Sequence, residues 1–249
     1  MKKETLTKSR RTSMFFLASV IVLMLSFISP VKAQEEDKFS MSVSLNSDTF
    51  FGFYPFFAGS YAVSDNLDFT FYGILWSGGT GGGWGNWTEF GVGVNFPVAE
   101  GFNVNPQIGV LGGNLLSSGT AGPAVFGDGL VPNLTMGLDR EYLEGEIYAG
   151  YYLPLRDEAP EGGTTLAYLH YWANLGYKAS SFFSLGLHFE HLINTGGSEI
   201  DSSTDVYQWF GPYVQFAKPS GGVFTRFAFG TDFLEENDSF FKLSVGYDF

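Results

Sequence analysis

Ionisable and aromatic side chains crowd the second half of the sequence at alternate positions. Glu144, Glu146 and Tyr148 alternate in one segment, Tyr168, His170 and Trp172 in the next, and His188 and Glu190 in a third. Tyr207, Trp209, Tyr213, Arg226, Asp232 and Lys242 continue the series. Carboxylates set among aromatic faces can sort ions and guide a sugar-like or amphipathic solute through a narrow passage. The same residues can also fill and brace an interior, with Glu paired to Arg226 and Lys242 and His held by Glu. Both readings need these side chains inside.

Other chemistries are excluded or unsupported. The chain has 249 residues and no cysteine, so disulfides and thiolate metal sites are ruled out. Its formal charge is −13, which argues against nucleic acid as a partner. The Gly-rich stretch Gly78–Gly85 has neither a following Lys-Ser/Thr nor a helical pattern, so it is not a phosphate loop. It is expected to be a flexible outer loop or one folded into the lumen. The acids Asp48, Asp128, Asp157, Glu158, Glu161, Glu199, Asp201, Asp205, Glu235, Glu236 and Asp238 are expected in or beside loops, with Arg156 the one base there. That field would gather cations at a mouth. No EF-hand spacing is present, and neither a metal site nor a cofactor is assigned.

The elements that must hold these residues are strands. Period-two alternation recurs, whereas no 3.6-residue stripe follows Ala33. Phe241, Leu243, Val245, Tyr247 and Phe249 oppose Lys242, Ser244, Gly246 and Asp248, and Phe183, Leu185, Leu187 and Phe189 oppose Ser184, Gly186, His188 and Glu190. Such segments number about twelve, at 38–46, 50–63, 67–77, 87–98, 102–112, 129–138, 142–153, 165–177, 181–193, 205–217, 221–233 and 239–249. The first two are the least regular, because Asn46–Thr49 is a weak turn and the pattern breaks near Pro55. Strands one to six offer mainly small or neutral polar residues inward, such as Ser40, Ser42, Ser44, Thr70, Asn103, Asn105, Gln107, Asn133 and Thr135. The charged, aromatic wall is therefore expected on the C-terminal half.

Connections alternate between short turns and longer loops, as in a transmembrane barrel with short periplasmic turns and longer extracellular loops. The fold class expected is all-β, a closed antiparallel transmembrane barrel. Aromatics at strand ends would form headgroup-level girdles: Phe39, Phe96, Phe102, Tyr177, Phe216 and Phe249 on the inner side, Trp87, Tyr151 and Phe233 on the outer. Residues 1–33 have the order of a cleaved secretory signal. Lys2, Lys3, Lys8, Arg10 and Arg11 precede the apolar run Met14–Ile28, and Val31 and Ala33 supply small residues before Gln34. Its removal leaves the barrel, 34–249, more acidic than the whole chain.

On these residues the chain resembles a Gram-negative outer-membrane β-barrel of an uncharacterised porin-like family. The resemblance implies the bacterial outer membrane as location, and outer-membrane lipid, the barrel-assembly machinery and small solutes as partners. Tyr247 and Phe249 match the C-terminal aromatic pattern that the assembly machinery reads. The function expected is passive diffusion of small solutes, cation-favouring, without a catalyst; the alternatives are a non-conducting structural or adhesive barrel and, ranked below it, a lipid-modifying outer-membrane hydrolase. The stretch Phe189–Asn194 also resembles the His-x-Ser-Asn segment of outer-membrane lipid A deacylases. His191 shares the outward parity of Leu187 and Phe189, but Ile193 stands where those enzymes carry the nucleophile. Without that hydroxyl His191 has nothing to activate.

Overall fold

Alternation of apolar and polar residues along the chain becomes alternation of outside and inside. The computed structural model describes residues 38–76, 87–117, 125–156, 165–198, 200–218, 221–235 and 237–249. The expected signal segment 1–33, the Gly78–Gly85 loop and the acids Asp157, Glu158, Glu161, Glu199 and Glu236 lie outside them. The described residues form twelve strands: β1 (Phe39–Asp48), β2 (Gly52–Ser64), β3 (Leu67–Trp76), β4 (Trp87–Ala99), β5 (Phe102–Gly113), β6 (Val125–Asp139), β7 (Leu143–Pro154), β8 (Leu166–Lys178), β9 (Phe183–Gly197), β10 (Thr204–Ala217), β11 (Gly222–Asp232) and β12 (Ser239–Asp248).

Each strand pairs antiparallel with its neighbours in sequence, and β1 closes on β12 through Ser42–Asp248 to Asp48–Lys242. Closure leaves no sheet edge. In hydrocarbon this is obligatory, because each unpaired backbone N–H or C=O would cost several kcal/mol. Outward positions are apolar and exposed, for example Leu45, Phe69, Val92, Leu175, Leu187 and Val245. Such a girdle of apolar side chains has no place in water and suits a lipid surroundings.

One end of the barrel carries Lys38, Phe249 and the short turns, such as Asp65–Asn66 and Glu100–Gly101; Gly101 adopts φ +64° there. This is the turn end. The other, the loop end, carries the longer connections and the three-residue turn Thr49–Phe51 between β1 and β2. The irregularity expected near β1 and β2 resolves into a full ten-residue ladder, Phe39–Tyr61 to Asp48–Gly52. Two boundaries move by four residues, and the other shifts are of one or two. β6 starts at Val125, so Asp128 belongs to a strand, and β9 runs on to Gly197.

Phe39, Tyr177, Phe216 and Phe249 are exposed at the turn end, and Phe233 at the loop end. Trp87 corrects the girdle expectation. It is only 3% exposed and packs inward against Trp76. The parity of Glu89 on the same strand accounts for this, since both face the interior.

Candidate functional site: a polar cup beneath an aromatic plug

The barrel interior divides along its axis. At the loop end, Phe51, Tyr54, Trp76, Trp87, Leu111, Leu116, Tyr152, Leu192, Tyr207, Trp209 and Phe240 are buried in one cluster. The β1–β2 turn folds inward to supply Phe50 and Phe51. Asp48 holds it, accepting hydrogen bonds from Phe50 N (3.0 Å) and Phe51 N (2.6 Å). Phe51 packs on Trp76 at 4.4 Å between ring centroids, and Phe50 on Tyr207 at 5.0 Å. Segment Asn114–Ser117 tucks in as well: Leu116 is fully buried, its N–H donating to Asp128 (2.7 Å). A gap of about 20 Å³ lies among Phe51, Trp76, Trp87, Tyr152 and Leu192. That is room for roughly one water.

Two expectations about acids are corrected here. Asp48 and Asp128 are each 1% exposed and brace the plug rather than charging the mouth. Their burial follows from backbone N–H groups of tight turns that need acceptors.

Toward the turn end the interior opens into a cavity of about 1090 Å³. One wall carries Asn95, Asn103, Asn105 and Thr135; the other carries Glu144, Glu146, Ser184, Gln215 and Arg226. On the second wall the network is continuous. Glu144 accepts from Tyr213 Oη (2.9 Å), Ser184 Oγ (3.0 Å) and Gln215 Nε2 (2.9 Å). Arg226 donates through Nε to Gln215 (2.7 Å) and through Nη1 to Glu146 (3.3 Å), and its guanidinium lies 5.3 Å from the Tyr213 ring centre.

Between cup and plug sits Glu190, fully buried. Its carboxylate meets Lys242 Nζ (2.5 Å), Tyr207 Oη (2.9 Å), His170 Nε2 (2.9 Å) and His188 Nε2 (3.1 Å). The opposite charge and the hydrogen bonds offset the desolvation of a buried carboxylate. Tyr148 stacks on Trp172 (5.8 Å), with Lys242 Nζ 5.9 Å from that indole. Tyr168 packs against the plug. Asp232 serves the loop end: it accepts from Gln208 N, Trp209 Nε1, Leu234 N and Asn237 Nδ2. Tyr247 and Phe249 lie outside, exposed, with rings 4.7 Å apart.

The N-terminal half adds interior groups that composition by strand had not suggested. Tyr54, Tyr72, Trp76 and Trp87 are buried, and so is Glu89. Tyr72 Oη donates to Glu89 Oε1 (2.6 Å) and accepts from Asn133 Nδ2 (2.8 Å). Among the described residues Glu89 Oε2 has no hydrogen-bond partner within bonding distance. The aromatic wall therefore runs round the loop-end interior instead of keeping to the C-terminal half.

The lipid-facing surface carries a polar group of three side chains. Tyr171 Oη lies 2.9 Å from His191 Nδ1, and Asp205 Oδ1 lies 2.9 Å from His191 Nε2. The hydroxyl absent from β9 comes instead from β8, directly across the ladder.

A closed twelve-stranded barrel with an apolar exterior and a polar interior is the fold of outer-membrane porins. The chain belongs to a family of unknown function (DUF6733), whose model matches residues 1–249. Comparison with curated proteins gives no match. Among solved structures, it is similar to the COG4313 outer membrane channel from Pseudomonas putida F1, with TM-score 0.51 and 13% identity over 89% of this chain and 98% of that one. It is similar to the NanC porin at TM-score 0.50 and 11% identity, over 84% and 98%. LpxR from Salmonella typhimurium gives TM-score 0.44 and 9% identity, over 84% and 99%. These are likenesses of fold alone.

Proposed function

We propose that this protein is an outer-membrane channel for small solutes, cation-favouring, held closed at rest by its aromatic plug. The turn end faces the periplasm and residues 1–33 direct export. The observation that carries this reading is the cup of about 1090 Å³, with polar side chains on both walls and a carboxylate–guanidinium network along one of them. A merely structural barrel of this bore has no need of a wide polar interior at one end. Cation preference is supported by the buried and part-buried interior acids Asp68, Glu89, Glu144, Glu146, Glu190 and Asp232, set against Arg226 and Lys242 along the strands; at the rim of the cup the charges balance more closely, with Asp139 and Glu141 beside Arg140, Lys178 and Lys218. Such a field raises cation concentration along the path.

The test is single-channel recording in a planar bilayer under a salt gradient. The barrel would be purified from outer membranes of cells expressing the full chain, its fold checked by heat-modifiable migration. Rare, discrete openings with a cation-favouring reversal potential are expected, and Phe51→Ala should make them frequent. A folded barrel that stays silent in both forms would overturn the channel and leave the structural or adhesive barrel.

A further inference from the structure

The Tyr171–His191–Asp205 group does not face the cup, and a channel has no use for it. Most outward positions around it are apolar, such as Leu187, Phe189 and Ile193 on β9 and Phe210 on β10, with Gln208 a polar neighbour. An ionisable pair on the lipid side of a barrel is costly and marks function by default. Its depth is informative. His191 stands eight residues above Phe183 at the turn end. With a rise of roughly 3.3 Å per residue and a tilt near 40°, that is about 20 Å along the axis. The apolar band is about 25 Å tall, so the group lies near its loop-end boundary. There acyl chains meet headgroups, and lipid carboxylic esters are found.

The hydrogen bonds define proton positions. Asp205 can only accept, so His191 Nε2 carries a proton and donates it. Nδ1 is then the acceptor for the Tyr171 hydroxyl. A hydroxyl, a base within reach and a third group orienting that base make the arrangement of an activated nucleophile. The imidazole is 6% exposed, shielded from water by Tyr171 and Phe189, while Asp205 is half exposed. Gln208 pairs with His191 across the ladder, which sets its amide beside the group on the same surface.

We propose that Tyr171, His191 and Asp205 form an acyl-transfer site acting on the carboxylic ester of a membrane lipid. The Tyr171 oxygen attacks the ester carbonyl carbon as its proton passes to His191 Nδ1. Gln208 is placed to donate to the carbonyl oxygen as it gains charge. The carbonyl–alkoxy bond breaks, and the departing alkoxide takes the proton from Nδ1. Acyl-tyrosine remains. Water, deprotonated by His191, attacks that ester, releasing a fatty acid and restoring the phenol. Tyr171 and His191 are the catalytic residues, and Asp205 is a positioning residue.

The test uses the barrel from outer membranes in mixed micelles with phosphatidylethanolamine carrying a labelled acyl chain. A parallel set uses micelles of an acylated glycolipid, which separates the two sources of such an ester. Fatty-acid release is expected from one of them, with an acyl adduct on Tyr171 after acid quench and digestion. Tyr171→Phe and His191→Asn should each lower release about a hundredfold or more. Asp205→Asn should lower kcat with KM unchanged, which a mere loosening of the wall would not produce. No release above protein-free micelles of either lipid, or release that survives in Tyr171→Phe without an adduct, would overturn the proposal. The wild-type adduct decides the matter even where a variant fails to fold. Conductance plays no part in this readout, so the channel reading stands or falls separately.

Discussion

Tyr213 on β10 reaches Glu144 on β7, three strands away, across a floor of two glycines. Gly186 and Gly176 occupy the intervening positions of one register row, Tyr213–Gly186–Gly176–Glu144. A Cβ at either glycine would strike the Tyr213 side chain. Tyr72 repeats the device on the opposite wall, lying over Gly91 and Gly109 to reach Glu89. In both rows the glycines make room for a flat ring, and the ring delivers a hydroxyl sideways to a carboxylate.

Gly176→Ala should therefore displace Tyr213 and break its bond to Glu144. The expected loss is about 1–3 kcal/mol from overpacking. A urea midpoint followed by tryptophan fluorescence checks it. Tyr213→Phe keeps the ring and should cost about 0.5–1.5 kcal/mol, since Ser184 and Gln215 still bond Glu144. A larger loss for Tyr213→Phe than for Gly176→Ala would contradict the row as described.

Lys242→Ala leaves a fully buried carboxylate on Glu190 without its ammonium. Breaking a buried pair in this way is expected to cost about 3–5 kcal/mol. The double change Lys242→Met with Glu190→Gln should recover much of that loss, because it removes the orphaned charge as well. Unfolding midpoints of the three proteins decide the point.

Glu89 offers the reverse case. It is buried, and one carboxylate oxygen has no hydrogen-bond partner among the described residues. Glu89→Gln preserves shape while removing charge, so the midpoint at neutral pH should rise, by about 1 kcal/mol or more. A fall of the midpoint would mean that ionised Glu89 is better served than its contacts suggest.

Arg226 is half-buried on the cup wall and tied to Glu146 and Gln215. Arg226→Ala should shift the reversal potential of open channels toward cations, with the folded fraction little changed. An unmoved potential would argue that ions do not pass this wall.

Much of the architecture was readable because period two is a strong signal. Strand number and facing follow from parity alone, as in Phe241–Phe249, and the model bears out the closed twelve-stranded barrel. Groups defined by register were harder to read. Tyr171 and His191 meet because residues twenty apart in sequence are direct partners across β8 and β9. No local pattern encodes that. Asp48 and Asp128 read as loop acids by composition, yet the turn Phe50–Phe51 and the segment at Leu116 carry backbone donors that draw them inward. Trp87 shows the opposite error. A tryptophan at a strand end fits a girdle by type, but parity with Glu89 sends it inward.

Closure of β1 on β12 has a mechanical corollary. The wall cannot part, because separating any two strands would expose a ladder of peptide groups to hydrocarbon. On the proposed channel reading, opening would come from inside this fixed wall, by rings at Phe50, Phe51 and Trp76 swinging aside. Side-chain reorientation is among the faster motions a protein makes, limited here by how tightly the rings interlock. The brief flicker of a few aromatic hinges, not the slow parting of a sheet, would set the tempo of passage.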